Sequence, residues 1–165
     1  AADLFQLARS LNSETWRRHT IGTTVTSNDE RFLRRAIELA AVARAAGDAP
    51  FGSLLVGPDG TVLREDRNTV LSDGDITAHP ELKLAKWAAR ELESSAAVAT
   101  TMYTSCQPCS MCAGAIDRSG LGRVVFALSN EQLADLKPSG GFPRVNEEGP
   151  FLFEEARIPV DGYYH

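Results

Sequence analysis

Thr77-Ala78-His79-Pro80-Glu81 and Ser105-Cys106-Gln107-Pro108-Cys109-Ser110-Met111-Cys112 are two halves of one pattern, and the rest of the chain is placed around them. A residue before proline is pushed out of the α region, and proline fits the first helical position. His79 should therefore cap a helix, with Glu81 in its first turn. Residues two apart on a continuous helix face different ways, but a His79 outside the helix lets imidazole and carboxylate converge. Pro108 is expected to repeat the device by starting a second helix, with Cys109 and Cys112 three apart on one face. One divalent ion can then be held by both thiols and the imidazole, beside helix N-termini that favour negative charge. Two cysteines and one histidine supply three ligands and leave a fourth position for water, as in catalytic zinc sites.

Two other readings compete for the same residues. Cys106 as a further ligand would close the site and make it structural, although an extended Gln107 before Pro108 should displace Cys106 from the helical face. A Cys-x-x-Cys redox pair is the other alternative, and it leaves His79 and Glu81 without a task.

The bulk properties fit one ordinary globular domain: 165 residues, 43% hydrophobic and 24% charged. No apolar run is long enough to cross a bilayer and no signal-peptide pattern stands out, so no membrane partner and a cytoplasmic setting are expected. Three cysteines, two of them one helical turn apart, suit metal ligation in a reducing compartment better than a disulfide framework. A net charge of −5 gives no general attraction to phosphate backbones, which weighs against a nucleic-acid partner.

Residues 1–26 read as a helical extension, with Leu4, Phe5, Leu7, Ala8 and Leu11 at amphipathic spacing. The main domain, 27–165, opens with a capping-box pair, Ser27 and Glu30, and a scaffold helix that stops near Gly47. Phe51 to Val56, the turn Gly57-Pro58-Asp59-Gly60 and the run from Thr61 make a β-hairpin. Leu71 to Thr77 is expected as a loop, and Trp87 as a core residue of the His79 helix. Thr100 to Thr104 and Arg123 to Leu128 read as strands, and Ser129 with Gln132 caps a short helix. Residues 137–150 form an irregular loop, and Phe153 to Val160 are expected as a last strand. Strands alternating with helices indicate an α/β domain with helices covering a mixed sheet.

His79-Pro80-Glu81 followed by Pro108-Cys109-Ser110-Met111-Cys112 resembles the signature of the zinc-dependent nucleobase deaminases. Within that superfamily the chain is similar to the branch of guanine deaminases, cytosine deaminases and tRNA adenosine deaminases. Pro50-Phe51-Gly52, Asn68, Thr77-Ala78-His79 and Cys112-Ala113-Gly114-Ala115-Ile116 carry the likeness, which spans residues 31–128.

The resemblance implies a three-layer α/β/α cytidine deaminase-like fold with a mixed five-stranded sheet. It implies zinc on His79, Cys109 and Cys112, with Glu81 as the proton shuttle of a hydrolytic deamination that releases ammonia. By the same analogy Asn68 hydrogen-bonds the substrate, and backbone around Phe51 and Gly52 shapes the pocket. Without the family, Asn68 is a turn residue and Phe51 a core aromatic. Phe153, Tyr163 or Tyr164 is a candidate for stacking on the substrate ring, in the same or a neighbouring subunit. A homodimer is expected from family habit alone.

Proline stands where alanine is common in this branch, which should stiffen the helix start. The acidic chain lacks the C-terminal pattern of the tRNA enzymes, so the expected substrate is a small nucleobase or nucleoside, guanine-type or cytosine-type. Editing of a nucleic acid and a non-catalytic zinc-stabilised module are the alternatives.

Overall fold

The computed structural model describes residues 26–137, 145–161 and 163. The expected N-terminal helix, residues 138–144 of the expected loop and Tyr164 lie outside the described residues.

Helix α1 (Ser27–Ala45) begins one residue earlier than its capping pattern suggested: Thr26 is the N-cap, and Asp29, not Glu30, closes the box. Long-range partners explain the shift. The buried Asp29 carboxylate also accepts from Tyr103 Oη at 2.6 Å and from Arg123 Nη1 at 2.8 Å. A helix start is thereby fixed to two residues far along the chain.

Strands β1 (Gly52–Val56) and β2 (Val62–Arg67) form the expected antiparallel hairpin, with a register shift at Leu55/Val56. Its turn is closed by Gly57 N–H donating to Thr61 O at 2.9 Å. The chain then passes through α2 (Val70–Asp73), α3 (Pro80–Glu91) and α4 (Ser94–Ala99) to β3 (Thr101–Cys106), antiparallel to β1. Helix α5 (Ser110–Ser119) leads to β4 (Arg123–Leu128), which lies parallel to β3. The sheet order is β2-β1-β3-β4. Helices α6 (Asn130–Leu136), capped by Ser129 and Gln132 as expected, and α7 (Phe153–Arg157) complete the described elements.

Strand alternation sorts the side chains into two cores. Leu54, Val56 and Tyr103 pack with Phe32 and Ala36 of α1. Leu55 and Met102 meet Leu84, Ala85 and Ala88 of α3 and Ile116 of α5, with Trp87 packed against that cluster. Each fully buried side chain of the Leu55, Leu84 type contributes roughly 1.5–3 kcal/mol of hydrophobic stabilisation. The result is the expected three-layer α/β/α sandwich. Gly52 sets the spacing on the α1 side, because a Cβ there would lie 2.4 Å from Leu39 Cβ and 2.6 Å from Ala36 O.

Several expectations are corrected. The sheet has four strands among the described residues, not five. The segment expected as the last strand begins instead as helix α7: Phe-Glu-Glu-Ala-Arg has no alternation, and Arg157 pairs with Glu154 and Asp161 at helical spacing. Part of the loop before His79 is helical (α2), because the buried Asp48 carboxylate accepts from Leu71 N–H at 3.0 Å and Ser72 N–H at 2.9 Å. None of the described helices is long and apolar enough to cross a membrane.

Candidate active site

His79 is the N-cap of α3, extended at φ −77°, ψ 139°, and Pro80 occupies the first turn. Cys109 does the same for α5 at φ −67°, ψ 169°. That corrects one expectation: Pro108 does not begin the helix, and only Cys112 stands on it. Both helices still present their N-termini to one point, and Cys109 reaches it from the cap position.

The His79 Nδ1 atom lies 3.5 Å from Cys112 Sγ and 3.8 Å from Cys109 Sγ. The donor atoms of His79, Cys109 and Cys112 all lie within 4.8 Å of one another. Zinc bonds of about 2.3 Å to sulfur and about 2.0 Å to nitrogen, spread at a tetrahedral angle, put such N and S atoms roughly 3.6 Å apart. The observed separations fit that requirement. Cys106 is the last residue of β3 and is not a member of the group, nor is Glu81. Burial, then the Glu81 carboxylate and Cys109, push the Cys112 thiol well above the ordinary range. A divalent cation reverses that balance and deprotonates a ligating thiol.

Glu81 is buried in the first turn of α3. Its Oε1 accepts from Thr104 Oγ1 at 2.7 Å and from Ser53 Oγ at 3.2 Å. Its Oε2 faces Cys112 Sγ at 3.7 Å. One oxygen is thus anchored to the sheet, and the other is turned toward the group of His79, Cys109 and Cys112.

Asn68 lies just beyond β2 and is buried, with its N–H donating to Phe51 O at 2.9 Å. Phe51 is half-buried and lines a cavity of about 750 Å³ together with Ser105, Cys106, Leu128, Leu133 and Leu136. That cavity lies between α1 and α6, and none of His79, Cys109 and Cys112 lines it. Gly52 is buried against α1, and its N–H donates to Ser105 Oγ at 3.1 Å. Phe153 and Tyr163 are 67% and 75% exposed.

A family model described as the cytidine and deoxycytidylate deaminase zinc-binding region matches residues 26–128. The chain belongs to this deaminase family. Zinc is its cofactor, since the family's zinc-binding region coincides with a His/Cys/Cys group spaced for the ion. The deaminase is 35% identical over 161 residues to a probable cytosine deaminase of Schizosaccharomyces pombe, covering 86% of this chain and 96% of that protein. A tRNA-specific adenosine deaminase of Haemophilus influenzae is 36% identical over 102 residues, 62% of this chain and 59% of its own length. The crystal structure of guanine deaminase from Bacillus subtilis superposes with a TM-score of 0.65 at 29% identity, covering 81% of this chain and 92% of that one.

Three site-adjacent residues of the deaminase escaped the sequence reading. Ser53 and Thr104 sit opposite one another on β1 and β3; Thr104 Oγ1 donates to Glu81 at 2.7 Å, and Ser53 Oγ has both Thr104 Oγ1 at 2.9 Å and Glu81 Oε1 at 3.2 Å as acceptors. Lys83 belongs to no sequence motif, yet its ammonium is engaged by three acceptors.

Proposed function

We propose that the chain is a hydrolytic deaminase that releases ammonia from the exocyclic amino group of a small nucleobase or nucleoside, guanine-type or cytosine-type. The observation that carries this reading is the division of the Glu81 carboxylate between two tasks. Oε1 is held by Thr104 and Ser53, while Oε2 looks toward the group of His79, Cys109 and Cys112.

In this reading His79 Nδ1 and the two thiolates hold zinc, which supplies a water acidified for attack near neutral pH. Glu81 Oε2 takes a proton from the attacking water and hands it to a ring nitrogen of the substrate. It then helps the amino group depart as ammonia, so one water is consumed and one carbonyl is formed. Asn68 donates to the substrate, and Phe51 and Gly52 set the limits of the pocket with their backbone. Phe153, Tyr163 or Tyr164 stacks on the substrate ring, in the same subunit or a neighbouring one. Unchanged turnover after truncation beyond Gly162 would remove Tyr163 and Tyr164 from that role.

Support for a small substrate comes from the S. pombe and B. subtilis relatives, which span most of the chain, and from its charge of −5. The H. influenzae relative keeps editing of tRNA as the second reading. Residues 27–165 are taken as the deaminase domain and 1–26 as an extension, working as a cytoplasmic homodimer. The exposed apolar Phe151, Leu152 and Ile158 of the C-terminal segment suit such an assembly.

An ammonia-release screen of the zinc-loaded chain over guanine, cytosine, adenine, their nucleosides and tRNA tests the proposal. Turnover of a free base or nucleoside, insensitive to moderate salt, is expected. Turnover of tRNA alone, weakening steeply with salt, would overturn the small-substrate reading.

A further inference from the structure

We infer that Lys83 is a positioning residue that ties the helix carrying Glu81 to the loop carrying Asn68, and so fixes the Asn68 amide relative to the zinc ligands. The inference rests on the substrate-binding role proposed for Asn68. Lys83 lies two residues after Glu81 and one helical turn after His79, whose carbonyl accepts its N–H at 3.0 Å. Its ammonium leaves α3 and reaches the end of β2. There it meets Asp66 Oδ1, Arg67 O at 2.8 Å and Thr69 Oγ1 at 3.1 Å. Three protons meet three acceptors, and two of those acceptors stand on either side of Asn68.

The peptide groups around Asn68 are held completely. In the bond between residues 67 and 68, the carbonyl is taken by Lys83 and the N–H by Phe51 O at 2.9 Å. In the next, Asn68 O accepts from Arg67 Nη1 at 3.4 Å, and Thr69 N–H donates to Ala78 O at 3.1 Å, one residue before His79. The Asn68 Oδ1 atom accepts from Val70 N–H at 3.0 Å, which orients the amide. Nδ2 has no acceptor among the described residues, so a substrate meets a fixed donor there.

Lysine suits this position for a chemical reason. Its three tetrahedral donors satisfy a carboxylate, a carbonyl and a hydroxyl from different directions, which the planar fork of arginine cannot do. The side chain is 29% exposed and Asp66 24%, so the ion pair itself adds little stability. What Lys83 supplies is the separation between two site elements that come from different layers of the fold.

The test compares the zinc-loaded full chain with Lys83→Met, Asn68→Ala and the double variant, using a substrate found by the ammonia-release screen. Methionine keeps the apolar stem and removes the donors. Lys83→Met is expected to keep its zinc and raise KM about tenfold with kcat within about twofold, and Lys83→Arg to rescue it only in part. The double variant should match Asn68→Ala alone, because a residue acting through Asn68 has nothing left to position. Full additivity in the double variant, or an unchanged KM in Lys83→Met, overturns the inference.

Amide hydrogen exchange gives a readout independent of chemistry. Exchange at Asn68 and Thr69 should quicken at least about tenfold in Lys83→Met while the Glu81 turn stays protected; unchanged exchange overturns the clamp. Normal turnover by Asn68→Ala would instead remove the substrate role of Asn68, and the inference with it, even where exchange shows the clamp to exist. Should Lys83→Met fail to fold, Thr69→Val removes one acceptor. It is expected to show the same non-additivity with a smaller change in KM, and additivity there overturns the inference equally.

Discussion

The two carboxylate oxygens of Glu81 face different partners, and the consequence is measurable. Thr104 Oγ1 holds Oε1 at 2.7 Å in a buried setting, a hydrogen bond to a charged group worth about 1.5–3 kcal/mol. Thr104→Val keeps the shape and removes that hold. The expected result is a fall in kcat of about tenfold or more, with zinc content unchanged. A steady-state assay with metal analysis checks it, and undiminished kcat would show that Oε1 needs no anchor. The His79 half was legible because proline chemistry is local: the cap at His79 and the turn holding Glu81 follow from five consecutive residues, whereas the helix expected from Pro108 starts only after Cys109. Ser53 and Thr104 were not legible, because their meeting depends on the register of two strands and the two residues stand 51 positions apart in the chain.

Elements show the same division between local and non-local causes. The hairpin, α3 and α6 were readable from turn and capping residues, whereas α2 exists because Asp48, from the loop before β1, caps it across space. At the head of α1 the cap moved by one residue because Tyr103 and Arg123 also claim Asp29. The segment read as a last strand became α7, because Phe-Glu-Glu-Ala-Arg lacks the alternation a half-buried strand needs. Gly52 belongs to this scale, since its missing side chain lets α1 lie on β1. Gly52→Ala places a carbon 2.6 Å from the Ala40 backbone nitrogen and should destabilise the fold by about 1–3 kcal/mol. Denaturant unfolding measures this, and an unaltered midpoint would mean that α1 shifts without cost.

For the whole molecule, the cluster of Asp29, Tyr103 and Arg123 joins α1 to the starts of β3 and β4, and it makes stability depend on pH. Hydrogen bonding from Arg123 holds the Asp29 carboxyl well below its usual range. Its ionised form therefore stabilises the fold above pH ~4, and that contribution is lost as pH falls further. Burial, then the hydrogen bond to Asp29, pushes Tyr103 up to about 12. The tyrosine contribution is present below pH ~10 and is lost as pH rises through the folded-state value. Asp29→Asn should lower the melting temperature at neutral pH and flatten its decline between about pH 4 and pH 2. A melting profile that keeps the wild-type acid slope would assign the acid sensitivity to other carboxylates.

The chemistry itself is tested most directly by ammonia release from zinc-loaded wild-type and Glu81→Ala proteins assayed side by side on the same substrate. The variant is predicted to bind one zinc, to melt cooperatively and to release ammonia at least about a thousandfold more slowly. A folded, zinc-loaded Glu81→Ala protein that deaminates at the wild-type rate would contradict the account.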